Sequence, residues 1–239
     1  MIKTFKALSV LLTYPTAELQ QASGEISEAI DAGRMIPASI RKQLHTLLAE
    51  LATGDIYDLQ ERYVLLFDRT RTLSLHMFEH VHGESRDRGQ AMIDLKAQYE
   101  NNNLFMSAAE LPDFVPLFLE YLSMLPAQEA CDTLGQPAHI FAAMAERLRK
   151  RESSYEPVFR ALVALAAAKP RETEVAALLT LPDPDATDLA ALDAAWADEP
   201  VSFGPGAGDG CKDRLMARVR GALRPAPDMP AAPRTPPRQ

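Results

Sequence analysis

The apolar residues of this chain recur at helical spacing almost from end to end, and they nowhere sustain the two-residue alternation of a half-buried strand. Ile40, Leu44, Leu47, Leu48 and Leu51 fall on one face after Pro37, a residue suited to a first turn. Asp55 is placed to cap the next helix, whose inner face is Ile56, Leu59, Tyr63, Leu66 and Phe67. Residues 86–99 read as a further helix stopped by Asn101, Asn102 and Asn103. Phe114, Leu117, Phe118, Tyr121, Leu122 and Leu125 share another face. Asp113 as N-cap would put Pro116 in the first turn, where no backbone donor is needed. Residues 137–150 repeat the pattern through Ile140, Phe141, Met144 and Leu148. Residues 155–168 are apolar on most sides, as befits a central helix, and 188–196 read as a short last one. The expected fold class is all-α, a single-domain helical bundle.

A chain of 239 residues, 47% hydrophobic and 24% charged, buries a core without disulfides or metals. The N-terminal MIKTFKALSVLLTYP is interrupted by Lys3 and Lys6 and offers no small-residue cleavage site. Phe5, Leu8, Leu11 and Leu12 instead mark it as a first core helix rather than a signal peptide. No apolar run is long enough to span a bilayer, so no stable membrane insertion is expected. Cys131 and Cys211 stand apart, outside any CxxC pattern, which fits a reducing, cytoplasmic setting.

From residue 200 the composition turns glycine- and proline-rich and cannot bury enough surface to offset chain entropy. The expected division is a helical domain over 1–199 and a disordered tail over 200–239. Seven Lys/Arg and two Asp from residue 211 on give that end +5, which leaves −13 on residues 1–210 of a chain carrying −8. An acidic body repels phosphate backbones, so no nucleic acid is expected, and it favours cationic partners.

Tyr63 to Met92 packs titratable and aromatic side chains more densely than any other stretch. His76, His80 and His82 have HxxxHxH spacing; two histidines four apart share a helical face and can hold one ion, with Glu79 and Glu84 as oxygen donors. HExxH order is absent and no second motif completes the ligand set. The plainer reading is a polar helix end whose histidines cap carbonyls or line a protein-binding groove. GESRDRG at 83–89 lacks the GxxxxGK[ST] pattern and puts Glu84 and Asp87 where a phosphate would sit, so Arg86 and Arg88 are expected to pair with local acids or with the helix C-terminus. GPGAGDG at 204–210 follows no strand and does not read as a dinucleotide loop. Ser74 and Ser85 lie near histidines without a nucleophile elbow, and no enzyme signature emerges. Glu110, Asp113 and Glu120 form an acidic trio, either a capped and solvated face, an acid–base pair, or a negative rim beside an apolar groove. Tyr63, Phe67, Phe78, Phe114 and Tyr121 are core positions first and groove positions second.

FDRTRTLSLHMFEHVHGESRDRGQAM at 67–92, followed by ELPDFVPLFLEYLSMLP at 110–126, closely resembles the NarJ family, the nitrate reductase molybdenum cofactor assembly chaperones, also called the delta subunit. The resemblance runs from LLTYP near residue 15 to ALDAAWADEPVSF at 191–203. It implies the all-helical fold of the redox-enzyme maturation chaperones and a non-catalytic, cytoplasmic role without a cofactor of its own. The implied partner is the catalytic (alpha) subunit of nitrate reductase. Its N-terminal segment, basic and amphipathic, would be bound while molybdenum cofactor is inserted and membrane docking is delayed. Molybdenum cofactor delivery proteins extend the implied partner list. The implied binding residues are Phe78, Glu79, His80, Val81, His82, Gly83, Glu84, Arg86, Asp87, Arg88 and Gly89, with Glu110, Leu111, Pro112, Asp113 and Glu120, and the aromatics Tyr63, Phe67, Phe114 and Tyr121 beside them. Family members carry histidine after Leu-Pro-Asp, whereas this chain has Phe114. Two alternatives stay open: a sibling chaperone serving another molybdoenzyme, such as a trimethylamine N-oxide or dimethyl sulfoxide reductase, and a histidine-based metal- or cofactor-handling protein.

Overall fold

The computed structural model describes residues 2–33, 35–81, 86–106 and 110–183. Within them the helical periodicity becomes α1 (Ile2–Leu11), α2 (Ala17–Gln21), α3 (Ser23–Asp31), α4 (Ala38–Thr53), α5 (Ile56–Tyr63) and α6 (Met77–Val81). There follow α7 (Arg86–Asn101), α8 (Val115–Met124), α9 (Ala127–Gly135), α10 (Ala138–Lys150), α11 (Glu156–Leu165) and α12 (Glu172–Leu179). Among the described residues the only extended pairing is an isolated antiparallel bridge between His76 and Phe114. The fold is all-α, and no described helix is long and apolar enough to cross a membrane.

The periodic faces are the buried ones. Phe5, Leu8, Leu11 and Leu12 of the first helix and its exit are inside, packed chiefly against α8, and the Ser9 hydroxyl donates to Pro116 O at 2.7 Å. All five leucine and isoleucine positions of the α4 face are buried. α11 packs against α10, α4 and α9, and it buries Val158, Phe159, Ala161, Leu162 and Leu165. The expected central helix is therefore central. Buried Arg147 donates to Thr72 O (3.0 Å) and Leu178 O (2.6 Å), tying the 3-10 turn Arg71–Leu73 to α12.

Three local features differ from the sequence reading. The helix expected to run from Ile56 through Phe67 stops at Tyr63 and widens into a π turn over Val64–Asp68, with Arg69 N–H donating to Val64 O at 3.0 Å. Asp113 is not the N-cap of α8; Phe114 holds that position and Pro116 lies in the first turn, so the donor argument for the proline stands while the cap moves by one residue. α2, α3, α9 and α12 went unread because they are short or, in α12, have no buried residue. The expected helix over 188–196 and the tail from 200 lie outside the described residues.

Asp55 caps α5 as expected, accepting from Tyr57 N–H at 2.9 Å and Asp58 N–H at 3.4 Å. Asp55→Ala is expected to cost about 1 kcal/mol, a fall of about 2–4 °C in melting temperature by circular dichroism. At the far end of α7, Asn103 adopts the left-handed φ of 61° and Leu104 N–H donates to Tyr99 O at 3.0 Å, which closes the helix at the predicted asparagine cluster.

Candidate functional site

The segment Pro112–Val115 is the point on which the surrounding helices are hung. Asp113, fully buried, turns away from α8 and caps α6 instead: its Oδ2 accepts from Phe78 N–H at 3.1 Å, its backbone oxygen accepts from Met77 N–H at 3.0 Å, and its Oδ1 lies 3.1 Å from His76 Nδ1. Val115 N–H donates to Leu75 O at 2.8 Å, completing the bridge. One residue earlier, Pro112 O accepts from the buried Tyr99 hydroxyl at 2.7 Å, which fixes α7. Four consecutive residues thus place α6, α7 and α8 around one space.

The histidines serve this frame. The bond to Asp113 raises the His76 pKa above that of a free imidazole, against an opposing push from burial. Burial lowers the His80 pKa, and its Nε2–H donates to Ser74 O at 2.8 Å. Each imidazole is held by a protein acceptor, and His82 lies outside the described residues. Among the described residues no three His, Cys, Asp or Glu side chains are grouped to hold a metal ion.

α6 separates two depressions. On one side is an apolar groove of about 310 Å³, lined by Met77, Phe78 and Val81 from α6, Leu95 from α7, Phe118 from α8 and Ile140 from α10. Asp94, Gln98 and His139 supply its polar edge. Val81 is 52% exposed, a large apolar side chain left open beside this groove. On the other side a polar pocket of about 480 Å³ is lined by Arg69, Arg71, His76, Glu79 and Arg88, among others.

The residues singled out in sequence divide accordingly. Phe78 and Val81 reach the groove, while Glu79 and Arg88 meet across the polar pocket at 3.5 Å, the local pairing expected for Arg88. Asp87 and Gly89 are exposed on α7, which Arg86 opens, and Gly83 and Glu84 lie outside the described residues with His82. Tyr63, Phe67 and Tyr121 are core residues, and Phe114 is half-buried with its ring 5.5 Å from that of His76. The acidic trio does not share a face. Glu110 and Leu111 are exposed, Pro112 and Asp113 are buried, and Glu120 faces Lys6 at 3.6 Å. The reason is that α8 begins at Val115, so Asp113 precedes the helix instead of riding on it. Leu95, Asp94 and Gln98 were missed in sequence; their signal is the spacing Ala91, Asp94, Leu95, Gln98 along one face of α7.

Residues 34–161, which include this frame and both depressions, match the family model described as nitrate reductase delta subunit. The chain belongs to that family. The nitrate reductase molybdenum cofactor assembly chaperone NarJ of Escherichia coli (strain K12) is 44% identical over 220 residues, covering 91% of this chain and 93% of the relative. NarW of the same strain is 38% identical over 202 residues, 84% of each chain. NarJ of Bacillus subtilis (strain 168) is 29% identical over 161 residues, 67% of this chain and 86% of that one. The delta-subunit resemblance read from residues 67–126 therefore extends over most of the chain.

Proposed function

We propose that this protein is an assembly chaperone for respiratory nitrate reductase. It binds the N-terminal segment of the apo catalytic (alpha) subunit, keeps that subunit open for molybdenum cofactor insertion and delays its membrane docking. It does so in the cytoplasm and without turnover. The observation that carries the reading is the open apolar groove beside α6, where Phe78 and Val81 stand next to Leu95 and Phe118. A groove of this kind accepts the apolar face of an amphipathic helix. Asp94 on its edge and the −13 charge of residues 1–210 favour a basic segment over an acidic one. The names of the relatives supply the client class.

The test is calorimetric titration with a peptide copying the first ~30 residues of the catalytic subunit, long enough for several helical turns and their flanks. One-to-one binding that weakens with salt is expected. Val81→Asp, at an exposed position, is expected to weaken binding about tenfold or more with the melting temperature held. Unchanged affinity in that variant would remove the groove from the proposal. Full binding of a peptide from a different molybdoenzyme, and none of this one, would move the client to a sibling enzyme.

A further inference from the structure

The polar pocket on the far side of α6 takes no part in the groove, and its side chains have a chemistry of their own. We propose that it is a second site, for a phosphate-bearing anion, built on Arg69, Arg71 and Arg88.

Arg69 and Arg71 are exposed on either side of Thr70, between the π turn and the 3-10 turn, and neither guanidinium has an acceptor among the described residues. Arg88 reaches the same pocket from α7, held among the described residues only by Glu79 at 3.5 Å, a separation beyond a good charge-assisted hydrogen bond. His76 borders them, and its bond to Asp113 favours the protonated imidazole. Ser74 completes the lining; its oxygen accepts from His76 N–H at 3.2 Å, which leaves the hydroxyl proton to donate.

Among the described residues two carboxylates line the pocket and oppose an anion here, Asp68 and Glu79. With Asp113 balancing His76, the three guanidiniums against these two leave one surplus positive charge among the described lining residues. That surplus sits on a body that is strongly negative, so it is a local feature rather than an overflow of basic surface. The number of forks selects the ligand class. One guanidinium saturates a carboxylate in a bidentate pair, whereas several forks around one cavity suit the additional oxygens of a phosphoryl group. The volume of about 480 Å³ exceeds what a single inorganic ion needs, which leaves room for a diphosphate or an esterified phosphate.

The experiment is isothermal titration of the full chain with inorganic pyrophosphate in a buffer free of phosphate and sulfate. Saturable one-to-one binding is expected, and the double substitution Arg69→Gln, Arg71→Gln should weaken it at least tenfold. Glu79→Gln, which removes an opposing carboxylate, should tighten it several-fold, a gain that misfolding cannot produce. Titration of the catalytic-subunit peptide into the double variant should give the wild-type affinity, which separates this site from the groove whatever becomes of the client reading. No saturable heat at millimolar pyrophosphate, or equal binding by wild type and double variant, would overturn the proposal.

Discussion

Replacing Asp113 with alanine is expected to lower the stability of the folded chain by about 3 kcal/mol, with a fall of about 6–12 °C in melting temperature. The carboxylate is fully buried and satisfies Phe78 N–H and the His76 ring at once. Alanine removes the acceptor of both donors at a position that is itself fully buried, and that loss outweighs the loss of a surface ion pair several times over. Asp113→Asn should cost much less. The amide oxygen still accepts from Phe78, and the amide N–H₂ donates to His76 Nδ1 in its neutral tautomer. Peptide binding should fall with the alanine substitution as well, because α6 carries Phe78 and Val81 and loses its cap. A charge reversal at this position therefore reports on folding, not on an acidic rim.

The same pair sets a pH dependence whose sign follows from His76. Its folded pKa is raised by the Asp113 bond, helped by Glu79 and opposed by burial and by Arg88. A group with a raised folded pKa contributes stability that is complete below its unfolded value, near 6.5, and is lost as pH rises through the folded value. Urea unfolding of wild type and His76→Gln at a series of pH values should show the wild-type advantage shrinking above that point. In Asp113→Asn the pH-dependent part should vanish while most of the stability remains.

The fold was legible wherever a periodic apolar face coincided with burial, as in α4, α8 and α11. It was illegible where a helix is too short to show a period, as in α2, or has no buried residue, as in α12. The site was legible in part for a similar reason. Phe78 and Val81 stand in a segment rich in charge and aromatics, a local signal that marks the neighbourhood of the groove. Asp113 could be recognised as a capping residue from its type, but a cap that acts on a helix 35 residues earlier in sequence leaves no local trace. The opposite wall from α7, α8 and α10 is likewise assembled by tertiary packing. Spacing within α7 places Leu95 and Gln98 on one face without saying what that face meets.

Phe67→Ala is expected to cost about 4 kcal/mol and so to be the most damaging single truncation among the residues that the family resemblance implies for binding. The ring is buried and meets Tyr63 at 5.0 Å, Tyr155 at 5.1 Å and Phe159 at 6.4 Å, so its removal opens a cavity among three other aromatics instead of baring a groove. Those partners come from α5, the residue before α11, and α11 itself, and no single side chain movement refills the space. Phe67→Leu, which keeps most of the volume, should cost about 1–2 kcal/mol. Denaturant unfolding with an unchanged m-value would report these losses directly. Peptide affinity, measured at a temperature where Phe67→Ala remains folded, should stay near that of the wild type, the reverse of Val81→Asp, where affinity falls and stability holds. Weakened binding by Phe67→Ala with an unchanged melting curve would instead put this ring on the binding surface and take it out of the core.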